Sequence, residues 1–224
     1  MIGASGGIGA ALADRLEDAG TAVCRLARSS TGDAFLDLTD EASIAAAAER
    51  LGREGPLDLV LVASGYLHDG GEGPEKDWRH ITADEMARNF ATNATGPALV
   101  AKHFLPLLPA EDKGAFAVLS ARVGSISDNR LGGWYGYRAS KAALNQLIRT
   151  LSVELARKKP KSLCVALHTG TVDTSLSQPF QRNVPAAKLF EPRFAAGSLL
   201  EVLSTLEAAH SGRIFAWDGQ EIAP

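Results

Sequence analysis

Two residues at helical spacing offer acid–base chemistry. Tyr137 and Lys141 lie four positions apart in YRASK, at the start of a predicted helix over 137–157, so their side chains project from one face of that helix. A nearby ammonium stabilises phenolate and lowers the phenol pKa from its usual value of about 10. Such a tyrosine can give a proton to a carbonyl oxygen, or take one from an alcohol, while hydride moves. The alternative is a packed aromatic ring beside a solvated lysine.

A glycine-rich segment at the start of the chain offers a phosphate site. GASGGIG stands directly before a helical pattern over 8–19, and backbone amides at a helix N-terminus bind anions. Glycine is needed there because a Cβ would block the approach of a pyrophosphate. The predicted cofactor residues of this loop are Gly3, Ser5, Gly7, Ile8 and Gly9. The segment lacks the Gly-Lys-Ser/Thr ending of a P-loop, which argues against triphosphate hydrolysis.

Residues that follow the next two strand-like runs indicate which dinucleotide binds. A carboxylate after the run 21–26 would bond the ribose 2′-OH of NAD, whereas an arginine pairs with the 2′-phosphate of NADP. Arg28 stands there and favours NADP(H) over NAD(H), with a solvated surface arginine as the alternative. Asp37, beside Leu38, is placed to contact the adenine amino group, although a turn aspartate is the alternative.

Small residues end the fourth strand-like run, 57–62. Ala63, Ser64 and Gly65 would let a cofactor lie against the backbone. The five histidines and two cysteines show no ligand spacing, so neither a metal site nor a disulfide is expected.

The elements that must position these residues alternate between strand and helix. Predicted helices cover 8–19, 41–51, 83–94, 97–108, 137–157 and 195–209, and predicted strands cover 21–26, 34–38, 57–62, 115–120, 163–168 and 213–217. The segment 68–80 is predicted to be an exposed loop. The alternation predicts a single-domain Rossmann-type α/β fold over 1–224, a doubly wound parallel sheet with helices on both faces. Two residues precede Gly3, so we expect a truncated first strand, from a late start codon or lost residues.

Composition and charge argue against several partners. A chain of 224 residues with 46% hydrophobic content fits one domain. The net charge of −3 and the scattered lysines and arginines give no footprint for nucleic acid. No apolar run approaches the roughly 20 residues that span a bilayer, and no signal peptide is evident. We expect a soluble cytoplasmic protein with a small-molecule partner, and a homo-oligomer stays open.

These segments together resemble the short-chain dehydrogenase/reductase family, over nearly the whole chain. The matching segments are GASGGIG, Asp37, ASG at 63–65, NATG at 93–96, YRASKAALN at 137–145 and TGTVDT at 169–174. In detail, SARVGSISDNRLGGWYGYRASKAALN and the terminal FAWDGQEI are similar to the carbonyl-reductase branch that includes C-factor and sniffer-type proteins. The resemblance implies an NADP(H)-dependent reduction of a ketone or aldehyde.

The resemblance also implies site residues. It suggests an Asn-Ser-Tyr-Lys catalytic set in which Asn93 matches the asparagine that holds a water linked to the lysine; a helix-capping asparagine is the alternative. Gly170, the backbone of Val172 and Thr174 match the segment that holds the nicotinamide carboxamide. The residues of the catalytic set that are also expected to contact the cofactor are Asn93, Tyr137 and Lys141.

The serine of that set has two candidates. Counting back from Gly124, the family position falls on Ala121, while Ser120 lies beside it and Ser125 lies closer to Tyr137. We expect Ser120, because ligands meet the carboxyl ends of strands in a doubly wound sheet. Ser125, or neither serine, is the alternative.

Aromatic and apolar residues flank the expected site. Trp134 and Tyr135 precede the tyrosine of the YRASK segment and could line a substrate pocket, or pack in the core. Leu176, Phe180 and Phe190 fall where the family keeps a substrate lid, which favours a hydrophobic substrate.

Two other functions are alternatives. An epimerase or dehydratase shares Tyr-x-x-x-Lys but normally carries a longer C-terminal substrate domain, and we expect the residues after Lys141 to be too few for it. A non-catalytic or moonlighting nucleotide-binding signalling protein of the C-factor type is the second. Intact Tyr137, Lys141 and Asn93 favour catalysis.

Overall fold

The core of the molecule is a parallel sheet of four strands. The computed structural model describes residues 1–68 and 73–224. Its strands are β1 (Leu59–Val62), β2 (Ala115–Ser120), β3 (Leu163–His168), β4 (Thr171–Val172), β5 (Leu189–Phe190) and β6 (Ile214–Ala216). The main sheet has the order β1-β2-β3-β6, with every pairing parallel. Strands β4 and β5 form a separate parallel pair.

Helices cover both faces of this sheet. They are α1 (Gly7–Asp18), α2 (Glu41–Gly52), α3 (Ala83–Phe90), α4 (Gly96–Phe104), α5 (Tyr135–Lys158) and α6 (Pro192–Thr205). Side chains alternate across a strand: Phe116 and Val118 of β2 join the apolar cluster that includes α2, α4 and α5. Ala117 and Leu119 join the cluster that includes α1 and α6. The doubly wound α/β fold predicted from the sequence is therefore confirmed.

Beyond β1 the sheet continues as isolated parallel bridges. Ile2 bridges both Val62 and Leu26, and Ala27 bridges Phe35. The Ile2 amide donates to Leu61 O at 2.8 Å. These bridges extend the parallel order by three positions, and the first strand of the predicted sheet is represented by the two bridges of Ile2.

The predicted strands over 21–26 and 34–38 are wrong in extent. Within them, bridges occur at Leu26 and Phe35, and residues 21 and 22 are exposed. Leu26 pairs with Ile2, and its amide donates to Met1 O at 2.8 Å. A strand needs a partner along its length, and an apolar run by itself does not supply one.

Several predicted helix boundaries also differ. The helices expected over 83–94 and 97–108 are joined by a π-turn at Ala91–Thr95, and the second gives way to a 3₁₀ turn after Phe104. The last helix starts at Pro192, because proline suits the first turn of a helix. It ends four residues before the predicted end. Of the predicted loop 68–80, residues 69–72 lie outside the described part of the chain.

No helix in the described ranges combines the length and apolar character that a membrane crossing requires.

Candidate active site

The glycine-rich loop turns tightly into α1. Gly3 has a φ of +82°, in the left-handed region that favours glycine, and a Cβ there would lie 2.4 Å from Ser64 Oγ. A Cβ on Gly9 would lie 2.1 Å from the Gly3 carbonyl oxygen. Within residues 1–68 and 73–224 no side chain caps α1 at Gly6. The first amides of the helix, which have no intrahelical acceptor, are therefore available to an anion.

A cavity of about 650 Å³ lies against this loop, within the range of about 300–1,000 Å³ that is usual for ligand sites. Predicted cofactor residues that line it are Gly3, Ser5, Gly7, Ile8, Arg28, Asp37, Leu38, Ala63, Ser64, Gly65 and Thr174. Leu176, which was expected in the substrate lid, also lines the cavity. The lining residues that the sequence reasoning missed are Gly6, Ser29, Leu36, Thr39, Tyr66, His68, Thr92 and Ser175. Several of these residues are sequence neighbours of predicted cofactor residues, and that proximity could have indicated that they line the cavity.

Six predicted cofactor residues lie outside the lining of this cavity: Asn93, Tyr137 and Lys141, which are described below, and Gly9, Gly170 and Val172. Gly9 packs on Gly3. A Cβ on Gly170, where φ is +71°, would lie 2.7 Å from the Phe190 ring. Val172 is buried, and its carbonyl accepts a hydrogen bond from the hydroxyl of Ser177 at 2.5 Å. In this structure these last three residues shape the turns around the cavity.

Two arginines in the segment that follows α1, Arg25 and Arg28, differ in their partners. Arg25 forms ion pairs with Asp14 and Glu17, at 2.6 and 2.7 Å. Arg28 is exposed and lines the cavity, and it forms no ion pair with any residue that the structure describes. Its guanidinium is therefore available to an anionic group.

Asp37 lines the same end of the cavity and also holds a turn. Its Oδ1 accepts hydrogen bonds from the amide and the hydroxyl of Thr39, at 2.9 and 2.8 Å. Both interpretations of this aspartate, as a turn residue and as a wall of the nucleotide site, are thus compatible with its position.

Tyr137 and Lys141 are buried together on α5. The tyrosine is 9% exposed and the lysine 3%. Lys141 Nζ donates a hydrogen bond to Leu119 O at 2.9 Å and lies 5.7 Å from the centre of the Tyr137 ring. The spacing on the helix therefore brings the two side chains together, as predicted, with the ammonium over the ring face.

Burial controls the proton affinity of this pair. It raises the pKa of Tyr137 to about 12 and lowers the pKa of Lys141 to about 8. The sequence argument expected the opposite direction for the tyrosine. The difference arises because loss of water around the phenol disfavours phenolate.

Asn93 occupies the π-turn between α3 and α4. Its side-chain amide accepts from Tyr66 N and donates to Tyr66 O, both at 2.8 Å, and it also donates to Ser140 Oγ at 3.0 Å. The asparagine thereby ties the segment after β1 to α5. It does not cap a helix in the described structure, and π-turns of this kind are frequent at functional sites.

The buried pair meets the cavity at Gly65. A Cβ built on this glycine would lie 3.5 Å from Asn93 Oδ1 and 3.7 Å from Lys141 Nζ. Because Gly65 itself lines the cavity, the lysine and the asparagine stand directly behind the cavity wall.

Within residues 1–68 and 73–224, neither candidate serine forms a hydrogen bond with Tyr137. The Ser120 hydroxyl is buried and donates to Asn145 Oδ1 at 2.7 Å. The Ser125 oxygen accepts from the Asp128 amide at 3.2 Å. Asn145 Nδ2 has no partner among the described residues. If the amide is turned over, this group can donate to Ser120 and free the serine proton.

Aromatic rings from three segments meet beside Tyr137. The Trp134 ring lies 6.2 Å from the Tyr137 ring and 5.0 Å from that of Phe180. His68 packs on Phe180 at 5.5 Å. Trp134 and Phe180, which were predicted near the substrate, are thus brought together, whereas His68 was missed.

No group of histidine, cysteine, aspartate or glutamate within the described ranges has a geometry that could hold a metal ion.

Comparison with known proteins identifies relatives of this chain. Residues 1–185 match the family model described as short chain dehydrogenase. The chain is 38% identical to the C-signal of Myxococcus xanthus over 169 residues, 75% of this chain and 93% of that protein. It is 30% identical to 1-hydroxy-2-glutathionyl-2-methyl-3-butene dehydrogenase of Rhodococcus sp. (strain AD45) over 230 residues, 98% and 96% of the two chains.

Among solved structures, the NADPH-bound carbonyl reductase from chicken fatty liver has a TM-score of 0.83 and 26% identity, covering 100% of this chain and 97% of that one. The resemblance inferred from the sequence motifs is therefore confirmed.

Proposed function

Since the chain belongs to the short-chain dehydrogenase/reductase family of oxidoreductases, we propose that it reduces a ketone or aldehyde to an alcohol with NADPH. One observation carries this proposal. Gly65 lines a cavity of the size that a ligand needs, and the same glycine adjoins Lys141 and Asn93. A nicotinamide held along the cavity would therefore reach the buried Tyr137–Lys141 pair.

Tyr137 is the proton donor in this mechanism. Bound NADPH would supply hydride to the carbonyl carbon, and the phenol would give its proton to the carbonyl oxygen, which completes the alcohol. With a pKa of about 12 the phenol remains protonated at working pH, the form that a reduction needs.

Lys141 stabilises the charge that this donation leaves behind. At neutral pH a pKa of about 8 keeps most of the lysine as ammonium. An ammonium beside the ring favours the phenolate that forms when the proton departs. Hydrogen bonding to Leu119 O fixes the lysine on the strand end, and Asn93 fixes the neighbouring segment through Tyr66.

The cavity residues would hold the dinucleotide along its length. The amides at the start of α1 would bind the pyrophosphate, Arg28 the 2′-phosphate, Asp37 and Leu38 the adenosine, and Ala63, Ser64 and Gly65 the nicotinamide ribose side. Thr174 would face the carboxamide. A preference for NADP(H) over NAD(H) rests on Arg28, and the chicken liver relative carries NADPH.

Ser120 is proposed to assist Tyr137 by donating to the substrate oxygen. For that role the Asn145 amide must turn so that its Nδ2, which has no partner within the described ranges, donates to Ser120 Oγ. The change exchanges one hydrogen bond for another, and a buried donor gains a partner.

A panel of ketones and aldehydes, each tested with NADPH and with NADH, checks the proposal. We expect NADPH-dependent reduction of at least one hydrophobic carbonyl compound. Tight NADPH binding with no turnover of any compound would contradict it.

The similarity to the C-signal favours a second candidate, a non-catalytic or moonlighting nucleotide-binding signalling protein. In the non-catalytic case NADPH binds and no carbonyl compound is reduced. In the moonlighting case Tyr137→Phe abolishes turnover and leaves the signalling activity intact.

A further inference from the structure

A buried glutamate that takes no part in the proposed reaction binds the backbone at the start of α5. Glu75 is 6% exposed. Its main-chain oxygen accepts from the Trp134 amide at 2.5 Å, and its carboxylate oxygens accept from the Gly136 amide at 3.2 and 3.4 Å. One residue from a loop distant in sequence therefore holds the backbone on both sides of Trp134.

Trp134, which lies between these two contacts, has an unfavourable backbone conformation. Trp134 has φ +54° and ψ +46°, and it is the one non-glycine residue with positive φ in the described ranges. A bulky side chain in the left-handed region is strained and persists where surrounding structure imposes it. The hydrogen bonds from the Trp134 and Gly136 amides to Glu75 hold Trp134 in this conformation.

This conformation determines where α5 begins and what lies beside Tyr137. Trp134 is the residue directly before α5, and Tyr137 follows three positions later. From here the indole packs edge-on against the Tyr137 ring, at 6.2 Å and 71°, and against Phe180, at 5.0 Å. If Trp134 relaxed to an ordinary helical or extended conformation, the first turn of α5 and the ring beside the phenol would both move.

Space at this contact is restricted as well. A Cβ on Gly136 would lie 3.1 Å from Glu75 Oε1 and 2.9 Å from Asn89 Nδ2. Glycine at this position lets the carboxylate reach the backbone amide. A carboxylate at the first turn of a helix also interacts favourably with the helix dipole.

We propose that Glu75 is a positioning residue for Tyr137, acting by holding Trp134 in its left-handed conformation. The inference rests on the proposed role of Tyr137 as proton donor. It predicts that loss of the carboxylate lowers kcat, and that the loss depends on the side chain at position 134.

A double-mutant cycle tests this dependence. Glu75→Ala is expected to lower kcat about tenfold, with little change in the KM for NADPH, and Glu75→Gln, which keeps a neutral acceptor, about threefold. Glycine adopts positive φ without strain. In a Trp134→Gly background, whatever its own kcat, adding Glu75→Ala should therefore cost less than about threefold. An equal loss in both backgrounds, or no loss in either, overturns the proposal.

Asp40→Ala is the matched control. Asp40 caps α2 by accepting from the Ala42 amide at 3.1 Å, so it is also a carboxylate at a helix start, on a helix that carries none of the proposed catalytic residues. We expect this variant to lower the melting temperature and leave kcat unchanged. A kcat loss that matches that of Glu75→Ala would make the effect a general consequence of uncapping, and the proposal would fall.

Amide hydrogen exchange gives a readout that does not need turnover. A peptide covering 133–140 should exchange faster in Glu75→Ala than in the wild type, with Glu75→Gln between them, while peptides of α2 stay unchanged. If Glu75→Ala does not fold, unchanged exchange and kcat in Glu75→Gln overturn the proposal. If no carbonyl compound is reduced, the proposed function fails. Even then, unchanged exchange in Glu75→Ala would show that Glu75 does not hold Trp134 in its left-handed conformation.

Discussion

The two ends of the cavity are built in different ways. At the nucleotide end the lining consists of backbone around Gly3 and Gly7 and of exposed side chains such as Arg28. At the reaction end, Tyr137 and Lys141 lie behind the wall with less than a tenth of their surface exposed. Affinity at the first end should depend on groups already facing solvent. Proton chemistry at the second depends on burial.

This difference separates what variants at each end should change. Water screens an exposed charge, so we expect Arg28 to act on a ligand through direct contact and a variant at this position to leave the fold unaffected. Burial shifts the pKa values of Tyr137 and Lys141 in opposite directions, so variants at this end should change turnover and pH dependence. Binding and turnover should therefore respond independently.

The largest effect is expected at the reaction end. Tyr137→Phe removes the proposed proton donor and should lower turnover at least about a hundredfold, while the affinity for NADPH stays within about twofold. Tyr135→Phe, on the same helix, is the control and should keep activity. Steady-state kinetics and an NADPH titration check both statements. Near-wild-type turnover of Tyr137→Phe would end the catalytic assignment.

At the nucleotide end, Arg28→Ala should remove much of the preference for NADPH over NADH. A charge-assisted hydrogen bond contributes about 1.5–3 kcal/mol, or about 10- to 160-fold in affinity. Turnover at saturating NADPH should be unchanged. Arg25→Ala is the control, because Arg25 is held by Asp14 and Glu17. Equal affinities of the wild type for the two dinucleotides would show that Arg28 is a solvated surface arginine without a role in cofactor choice.

The contrast between the ends also explains what the sequence could predict. Strands β2 and β3 have the predicted bounds, because continuous apolar runs buried on both faces need no other information. The glycine loop and the Tyr137–Lys141 face follow from local spacing. The direction of the Tyr137 pKa could not be predicted, since it depends on how much water the folded chain removes from the phenol.

Tertiary partners account for the other differences. The run 21–26 has the composition of a strand, yet within it a bridge forms at Leu26, with Ile2 as the partner. Glu75 stands in a polar loop, and nothing local indicates that its carboxylate is buried against the start of α5. The bond from Ser120 to Asn145 joins two elements, so strand position alone could not reveal it.

A smaller effect should appear in the pH dependence of stability. Folding lowers the pKa of Lys141 from 10.5 to about 8, so between those values the unfolded chain binds more protons than the folded one, and stability rises with pH. Between pH of about 7 and 9.5 the wild type should gain roughly 2 kcal/mol relative to Lys141→Met. Denaturant titrations at both pH values measure this difference. Parallel curves for the two proteins would mean that Lys141 is hydrated in solution.

The same linkage has the opposite sign for Tyr137. Its pKa rises from 10.0 to about 12 on folding, so above a pH of about 10 the unfolded chain loses this proton first and stability falls. Tyr137→Phe should remove that fall. A fall of equal size in the variant would assign it to other groups.

The smallest effect is expected for the serine. Ser120→Ala should lower turnover about tenfold through loss of a donor to the substrate oxygen, and Ser125→Ala should leave it unchanged. Rates for both variants with one carbonyl substrate decide between the two residues. Full turnover in Ser120→Ala with a loss in Ser125→Ala would reverse the assignment.

The fate of the transferred hydrogen tests the central claim most directly. NADPH carrying deuterium at the transferable position of the nicotinamide is mixed with the purified protein and a carbonyl substrate, and the product is analysed by mass spectrometry and NMR. The account predicts an alcohol with one deuterium on the former carbonyl carbon for each NADPH oxidised, and none above background with Tyr137→Phe. NADPH that binds but remains unoxidised, or an alcohol without the label, would contradict it.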